Sequence, residues 1–223
     1  MMLDSGSISA ISRGDLEWLK KTDYVAYLTR NYPFDIVANI DLPIMALKKS
    51  KNKMNSKKAI NINNKNIEEF LAKDITAKKL LVLQGNSISD YMNILYHIYK
   101  IGALSDTEKH IIGIGSLVGR NWNESVEIIR ILMEEVPAGI WVHAFGVGSY
   151  RRLSDLIRLS VRSTDTALAS RTSSFGKVVY PGGNMKMPKS KNFHQGVIMP
   201  INMATITYKI PLVHDNWGGL RDA

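Results

Sequence analysis

From Asp35 onward, short apolar runs alternate with longer amphipathic ones. The runs at 36–40, 80–83, 110–114, 140–145 and 161–164 have the length and bulk of buried strands. The stretches 88–101, 124–136 and 151–159 carry apolar residues at three- and four-residue steps and predict helices. Ser87 with Asp90 three residues on has the form of a capping box, and Asn121 with Glu124 repeats it. Gly102 is placed to stop the helix before it. Strands alternating with helices through short connections predict an α/β fold with a parallel sheet, either closed into a barrel or doubly wound. The residue after each strand decides between the two. Ile40 is followed by Asp41, Leu83 by Gln84, Ile114 by Gly115, Phe145 by Gly146 and Thr164 by Asp165. A barrel gathers its chemistry at such a C-terminal rim, so a (β/α) TIM-type barrel is expected. GIGSLVG at 113–119 follows a strand but lacks the spacing of a dinucleotide fingerprint.

Two segments fall outside this rhythm. KKSKNKMNSKK at 48–58 interrupts the periodicity and reads as a basic insertion, a solvated loop first and a phosphate-contacting arm second. After Phe175 the pattern changes: 177–192 holds PGG, MP and several lysines and reads as loop, while 197–213 can supply one or two β-rich segments. The expected organisation is a barrel domain over 1–175 and a C-terminal tail over 176–223 that can complete the barrel. The 223 residues suffice for one sizeable core.

Charge and composition narrow the partners. Lys and Arg number 29 against 20 acidic residues, a formal net charge of +9 that attracts a polyanion from a distance, and nucleic acid fits. There is no cysteine, and the five histidines form no close pair, so neither a disulfide, a structural zinc nor another cofactor is expected. The chain shows no apolar run of membrane-span length and no signal-peptide pattern, so a soluble cytoplasmic protein is expected. The oligomeric state is left open.

Asp4, Asp41 and Asp165 are three carboxylates near expected strand ends. Gathered on one rim they would suit glycosidic chemistry or a divalent metal. Taken singly, each is more readily a helix cap or turn residue, because Asp is common at both.

The segments around them resemble the tRNA-guanine transglycosylase superfamily. LDSGS at 3–7 is similar to the family's DSGG segment, DIVANIDLP at 35–43 to DIVMxFDECxP, and LVLQGN at 81–86 to GIVQGG. IGIGSLVGR at 112–120 resembles AIGGLSVGE, HAFGVGS at 143–149 resembles YLMGVGT, and STDTALASR at 163–171 resembles MFDCVLPTR. All six occur in the family's order, and the interval from GVG to the last aspartate agrees. The resemblance implies Asp165 as nucleophile, Asp4 as general acid/base, and Ser5, Asp41, Gln84, the Gly115 backbone and Phe145 as base-binding groups. Arg151, Arg152 and Arg171 are the expected nucleic-acid contacts, and Arg162 and Arg171 lie close enough in sequence to favour an ionised Asp165.

Departures point to a divergent branch. The family places barrel strands before DSGG, whereas this chain begins almost on it, so two strands are missing, supplied by the tail, or lost in an incorrectly chosen start. The zinc subdomain is absent, Arg120 stands where the tRNA enzymes carry glutamate, Ile8 replaces a stacking tyrosine, and Phe145 replaces a stacking methionine. The nearest in character are the deazaguanine DNA transglycosylases. The expected activity is replacement of guanine in nucleic acid, DNA favoured over tRNA, by a 7-deazaguanine-type base. A tRNA enzyme and a non-catalytic nucleic-acid-binding or partner subunit on the same fold are the alternatives.

Overall fold

The computed structural model of the chain describes residues 2–3, 34–45, 54–147, 150–165, 177–180 and 183–186. Contacts divide it into two units, one of Met1–Val147 with Arg152–Asp165 and one of Gly148–Arg151 with Thr166–Ala223. The first unit holds a parallel six-stranded sheet of β1 (Met2–Leu3), β2 (Ile36–Ala38), β3 (Lys78–Leu83), β4 (His110–Ile114), β5 (Trp141–Ala144) and β6 (Ser163–Thr164), in sequential order. Sequential order lacks the reversal of a doubly wound sheet. The sheet curls as a half-barrel, and a complete barrel is not seen among the described residues. The helices are α1 (Ser56–Leu71), α2 (Ile88–Lys100), α3 (Trp122–Glu135) and α4 (Tyr150–Arg158). None of the described helices is long and apolar enough to cross a membrane.

Alternation along the strands sorts the core into two layers. Val37, Leu81, Leu83, Ile112, Ile114, Val142 and Ala144 pack with the inward residues of the helices. Ala38, Leu80, Val82 and Ile111 form a separate cluster on the opposite face, with Ile36, Trp141 and Phe145 against it. That second face is the concave one in a curl whose outside is covered by helices.

Most expected elements lie within a few residues of their expected bounds. Ser87 and Asp90 form both halves of a capping box. Asn121 instead caps α3 through the N–H of Asn123 at 2.9 Å, and Glu124 pairs with Arg120 rather than returning to the cap. The stronger partner for that carboxylate is a guanidinium that is itself buried.

Helix α1 was not expected. Its first residues, Ser56 to Lys58, belong to the segment read as a loop, and Asn55 caps it through the N–H of Lys58 at 2.8 Å. The helical stripe is present as Ala59, Ile60, Ile67 and Phe70, but Asn63 and Asn66 hold two of its inward positions and hide the period. Both are buried and bonded. Leu42 N–H donates to Asn63 Oδ1 at 2.6 Å while Asn63 Nδ2 donates to Leu42 O at 3.2 Å, and Asn66 Nδ2 donates to Ile40 O at 3.1 Å. Lys79, from β3, donates to Leu71 O and Lys73 O at 2.8 and 2.7 Å and so closes the C-terminal end of α1.

In the second unit, β7 (Lys177–Tyr180) and β8 (Gly183–Lys186) pair antiparallel with Tyr180 opposite Gly183. The loop expected from residue 177 is therefore a hairpin at its start. A two-residue connection between β-favouring KVVY and a following glycine is a hairpin signal that the lysines obscured.

The Asn63 clamp yields a stability test. Asn63→Ala leaves the buried Leu42 N–H without its acceptor, which should cost about 1–3 kcal/mol. Urea unfolding should show a lowered midpoint with an unchanged slope.

Candidate active site

The C-terminal edge of the sheet brings the expected rim residues to one side of the first unit. Asp41 follows β2, Gln84 directly follows β3, Gly115 follows β4, Phe145 follows β5 and Asp165 follows β6. Because all six strands run parallel, their C-terminal ends share an edge.

Asp41 is held there by asparagines. The Asn39 N–H donates to Leu80 O at 3.1 Å, and Asn39 Oδ1 accepts from Val82 N–H at 2.8 Å, so a side chain continues the pairing of β2 with β3 beyond Ala38. Asn63 and Asn66 fix the backbone on either side of Asp41. Its carboxylate, 5 % exposed as a residue, accepts from Gln84 Nε2. Gln84 Oε1 in turn accepts from Ser116 Oγ at 2.5 Å. Ser116 has φ 54°, a left-handed conformation that costs a non-glycine residue about 1 kcal/mol and that clusters at functional sites.

Gly115 serves this network by lacking a side chain, since a Cβ there would fall inside the Gln84 amide. Its N–H, expected to address a base, donates to Leu83 O at 2.9 Å, and its carbonyl accepts from Tyr91 Oη at 2.8 Å. The Arg120 guanidinium is committed to backbone carbonyls beside this network. Its Nε donates to Ser116 O at 3.1 Å, Nη1 to Asn86 O at 3.1 Å and Nη2 to Gly85 O at 2.8 Å, and it pairs with Glu124. It clamps the loops after β3 and β4 together. Beside it Tyr91 is pushed up to about 12, by burial first, against the lowering effect of Arg120.

Asp165 stands at the other end of the edge. Its Oδ1 accepts from Gly146 N–H at 2.6 Å and lies 3.4 Å from His143 Nε2. Gly146 has φ 71°, and a Cβ there would strike Val118, so glycine is required on two counts. Burial pushes the Asp165 carboxyl up; the His143 side chain and the Gly146 N–H outweigh it, and the carboxyl is held below the usual carboxylate range. The cation expected from Arg162 is not the cause: that side chain is exposed, and the basic neighbour is His143. His143 Nδ1 lies 2.9 Å from Ser163 Oγ, which also accepts from Trp141 Nε1 at 2.7 Å. Phe145 sits edge-on to His143, with ring centroids 4.6 Å apart at 76°.

Arg152 stacks its guanidinium 4.7 Å from the centroid of the Trp122 ring, whose Nε1 donates to Asp155 Oδ2 at 2.7 Å. Stacking leaves in-plane N–H groups available for a phosphate. Arg151 lies in α4, with its side chain outside the described part; Asp4, Ser5, Ile8 and Arg171 lie outside the described residues altogether.

The sequence reading passed over His143, Ser163, Trp141 and Ser116. The first three could have been found by strand parity, since 141 and 143 share a face with Phe145 and 163 shares one with Asp165. No protein-family model matches the chain, and no curated protein matches it.

A carboxyl held below its unfolded value stabilises the fold above that unfolded value, and the contribution is lost as pH falls through the lower folded value. For Asp165 the difference in urea midpoint between wild type and Asp165→Asn should be constant from neutral pH to about 4, near the unfolded Asp value, and should shrink below it. A constant difference down to pH 3 would contradict the lowered direction.

Proposed function

We propose that the chain is a base-exchange glycosyltransferase related to the tRNA-guanine transglycosylases, and that its curled sheet is part of a (β/α) barrel. The observation that carries the reading is the rim itself. Asp165 is anchored through one oxygen at one end, and the Asp41, Gln84 and Ser116 network is built at the other, on the edge where six motifs resemble the family in order. Neither described contact is a local cap. Asp165 bonds a residue 19 positions away, and Asp41 one 43 positions away.

The chemistry needs a covalent hold on the sugar while one base leaves and another arrives. With Oδ1 occupied, Asp165 Oδ2 attacks C1′. The C1′–N9 bond breaks, its electron pair leaves with guanine, and Asp4 supplies the proton. A 7-deazaguanine-type base then gives its N9 proton to Asp4 and attacks C1′, and the ester bond breaks to return the carboxylate. Asp41 accepts from the N1 and N2 donors of the base, and Gln84 donates to O6. In the empty site these two groups satisfy each other, so a guanine edge replaces an existing hydrogen bond with matched ones. Adenine reverses the donor pattern, so the Asp41–Gln84 bond would have to break for it with no matched bonds in return. Phe145 offers an apolar surface, and the target nucleotide reaches the rim flipped or single-stranded.

DNA remains favoured over tRNA because the chain has no cysteines for a zinc subdomain and carries a basic stretch at 48–58. Arg120 no longer contributes to that preference, since its guanidinium is committed to loop carbonyls. Labelled-guanine exchange run in parallel on DNA and tRNA tests the reading. Asp165→Ala should reduce exchange to background and abolish the covalent adduct with the fold intact; an Ala variant that exchanges normally removes Asp165 as nucleophile. Exchange should also persist in excess chelator, because the chain has no cysteine and its five histidines form no close pair.

A further inference from the structure

Beneath Asp165 the concave face carries a line of polar groups that the exchange chemistry leaves unused. An indole N–H can only donate, so Trp141 makes Ser163 Oγ an acceptor at 2.7 Å. The single hydroxyl proton of Ser163 is then free to donate, and His143 Nδ1 lies 2.9 Å away. An accepting Nδ1 puts the ring proton on Nε2, the nitrogen 3.4 Å from Asp165 Oδ1. If the ring is doubly protonated, Nε2 carries a proton in any case, and Ser163 Oγ, which can accept twice, takes the hydrogen bond from Nδ1. The opposite neutral tautomer would set a nitrogen lone pair against a carboxylate oxygen.

The His143 side chain is 5 % exposed, and its Nε2 has no hydrogen-bond partner among the described residues. The 3.4 Å separation is within ion-pair range but lacks hydrogen-bond alignment. Catalytic hydrogen bonds are often long in an empty site and tighten with substrate.

We propose that His143 is a positioning residue for Asp165: the Trp141 and Ser163 relay fixes a proton on Nε2, and that N–H holds Oδ1 so that Oδ2 meets the sugar. The kinetic consequence rests on Asp165 being the nucleophile. The proton placement rests on geometry alone, so the two can fail separately.

The test uses the full chain with nitrogen-15 in histidine and carbon-13 in aspartate carboxyls, read by NMR. In the wild type His143 Nε2 should be protonated. The Asp165 carboxyl should titrate higher in His143→Phe and close to wild type in His143→Gln, whose amide N–H can take the place of Nε2. Ser163→Ala and Trp141→Phe retain the imidazole and keep the test open if the Phe variant does not fold; both should weaken the Nε2 preference and move the Asp165 titration in the same upward direction. Guanine exchange should fall roughly tenfold or more in His143→Phe, through kcat rather than KM, with recovery in His143→Gln. An unprotonated Nε2 in the wild type, or an Asp165 titration identical in wild type, His143→Phe and Ser163→Ala, overturns the proposal. If the NMR results are as expected and the wild type exchanges no guanine, the positioning stands and the base-exchange reading falls.

Discussion

The pleat of a parallel sheet sends alternate side chains to opposite faces, and the candidate site depends on that constraint. In β3, Leu81 and Leu83 enter the layer packed with the helices while Leu80 and Val82 face the other way, and Gln84 continues the second set. The same count runs from Ile111 and Gly113 to Gly115, from Trp141 and His143 to Phe145, and from Ser163 to Asp165. A one-residue slip in β3, β4, β5 or β6 would turn its rim residue toward the helices and its helix-facing apolar residues toward the concavity. Register is therefore held by the apolar layer, and the polar rim takes its geometry from it.

What the pleat cannot do is hold polar groups once the strands have ended, and there the chain uses side-chain amides and a guanidinium. Asn39, Asn63 and Asn66 bond main-chain groups around Asp41, and Arg120 bonds three carbonyls of the loops after β3 and β4. Each buried amide gives a net stabilisation of about 1 kcal/mol, whereas a lost partner leaves a desolvated group costing up to about 3 kcal/mol. That asymmetry makes such networks specify one arrangement of the rim, and it offsets the left-handed Ser116.

The layering and the strand ends were legible in the sequence because they rest on apolar periodicity, and β4 coincides with its expected 110–114. Helix α1 was not, because Asn63 and Asn66 stand where the period requires apolar residues and their partners lie more than twenty residues away. What the Arg120 side chain binds was not legible for a related reason. A motif position suggests proximity to a base, but a long side chain can turn to whichever unsatisfied carbonyls are nearest. The hairpin at 177–186 was hidden by its lysines, which are compatible with either a loop or an exposed strand. That Asp165 and Gln84 follow strand ends was legible from their position, while the groups that bond them required knowing which strand lies beside which.

The manner in which Asp165 is held bears on what it can do. A metal-binding carboxylate uses one or both oxygens together with further ligands, and a capping carboxylate spends its oxygens on local N–H groups. Here the two described contacts from other residues converge on Oδ1, one from a backbone N–H and one from a buried imidazole, and the side chain stays about half exposed. Donors gathered on one oxygen fix the direction of the carboxylate, and no other described residue bonds the second oxygen. The same donors also lower the nucleophilicity of the anion, because they favour its charged form. A long contact at His143 limits that cost in the empty site. In the proposed exchange, charge would move from the carboxylate into the new C–O bond, Oδ1 would become the carbonyl oxygen of a glycosyl ester and would need less from the imidazole, so a long contact suits that cycle of attack and release better than a tight ion pair would.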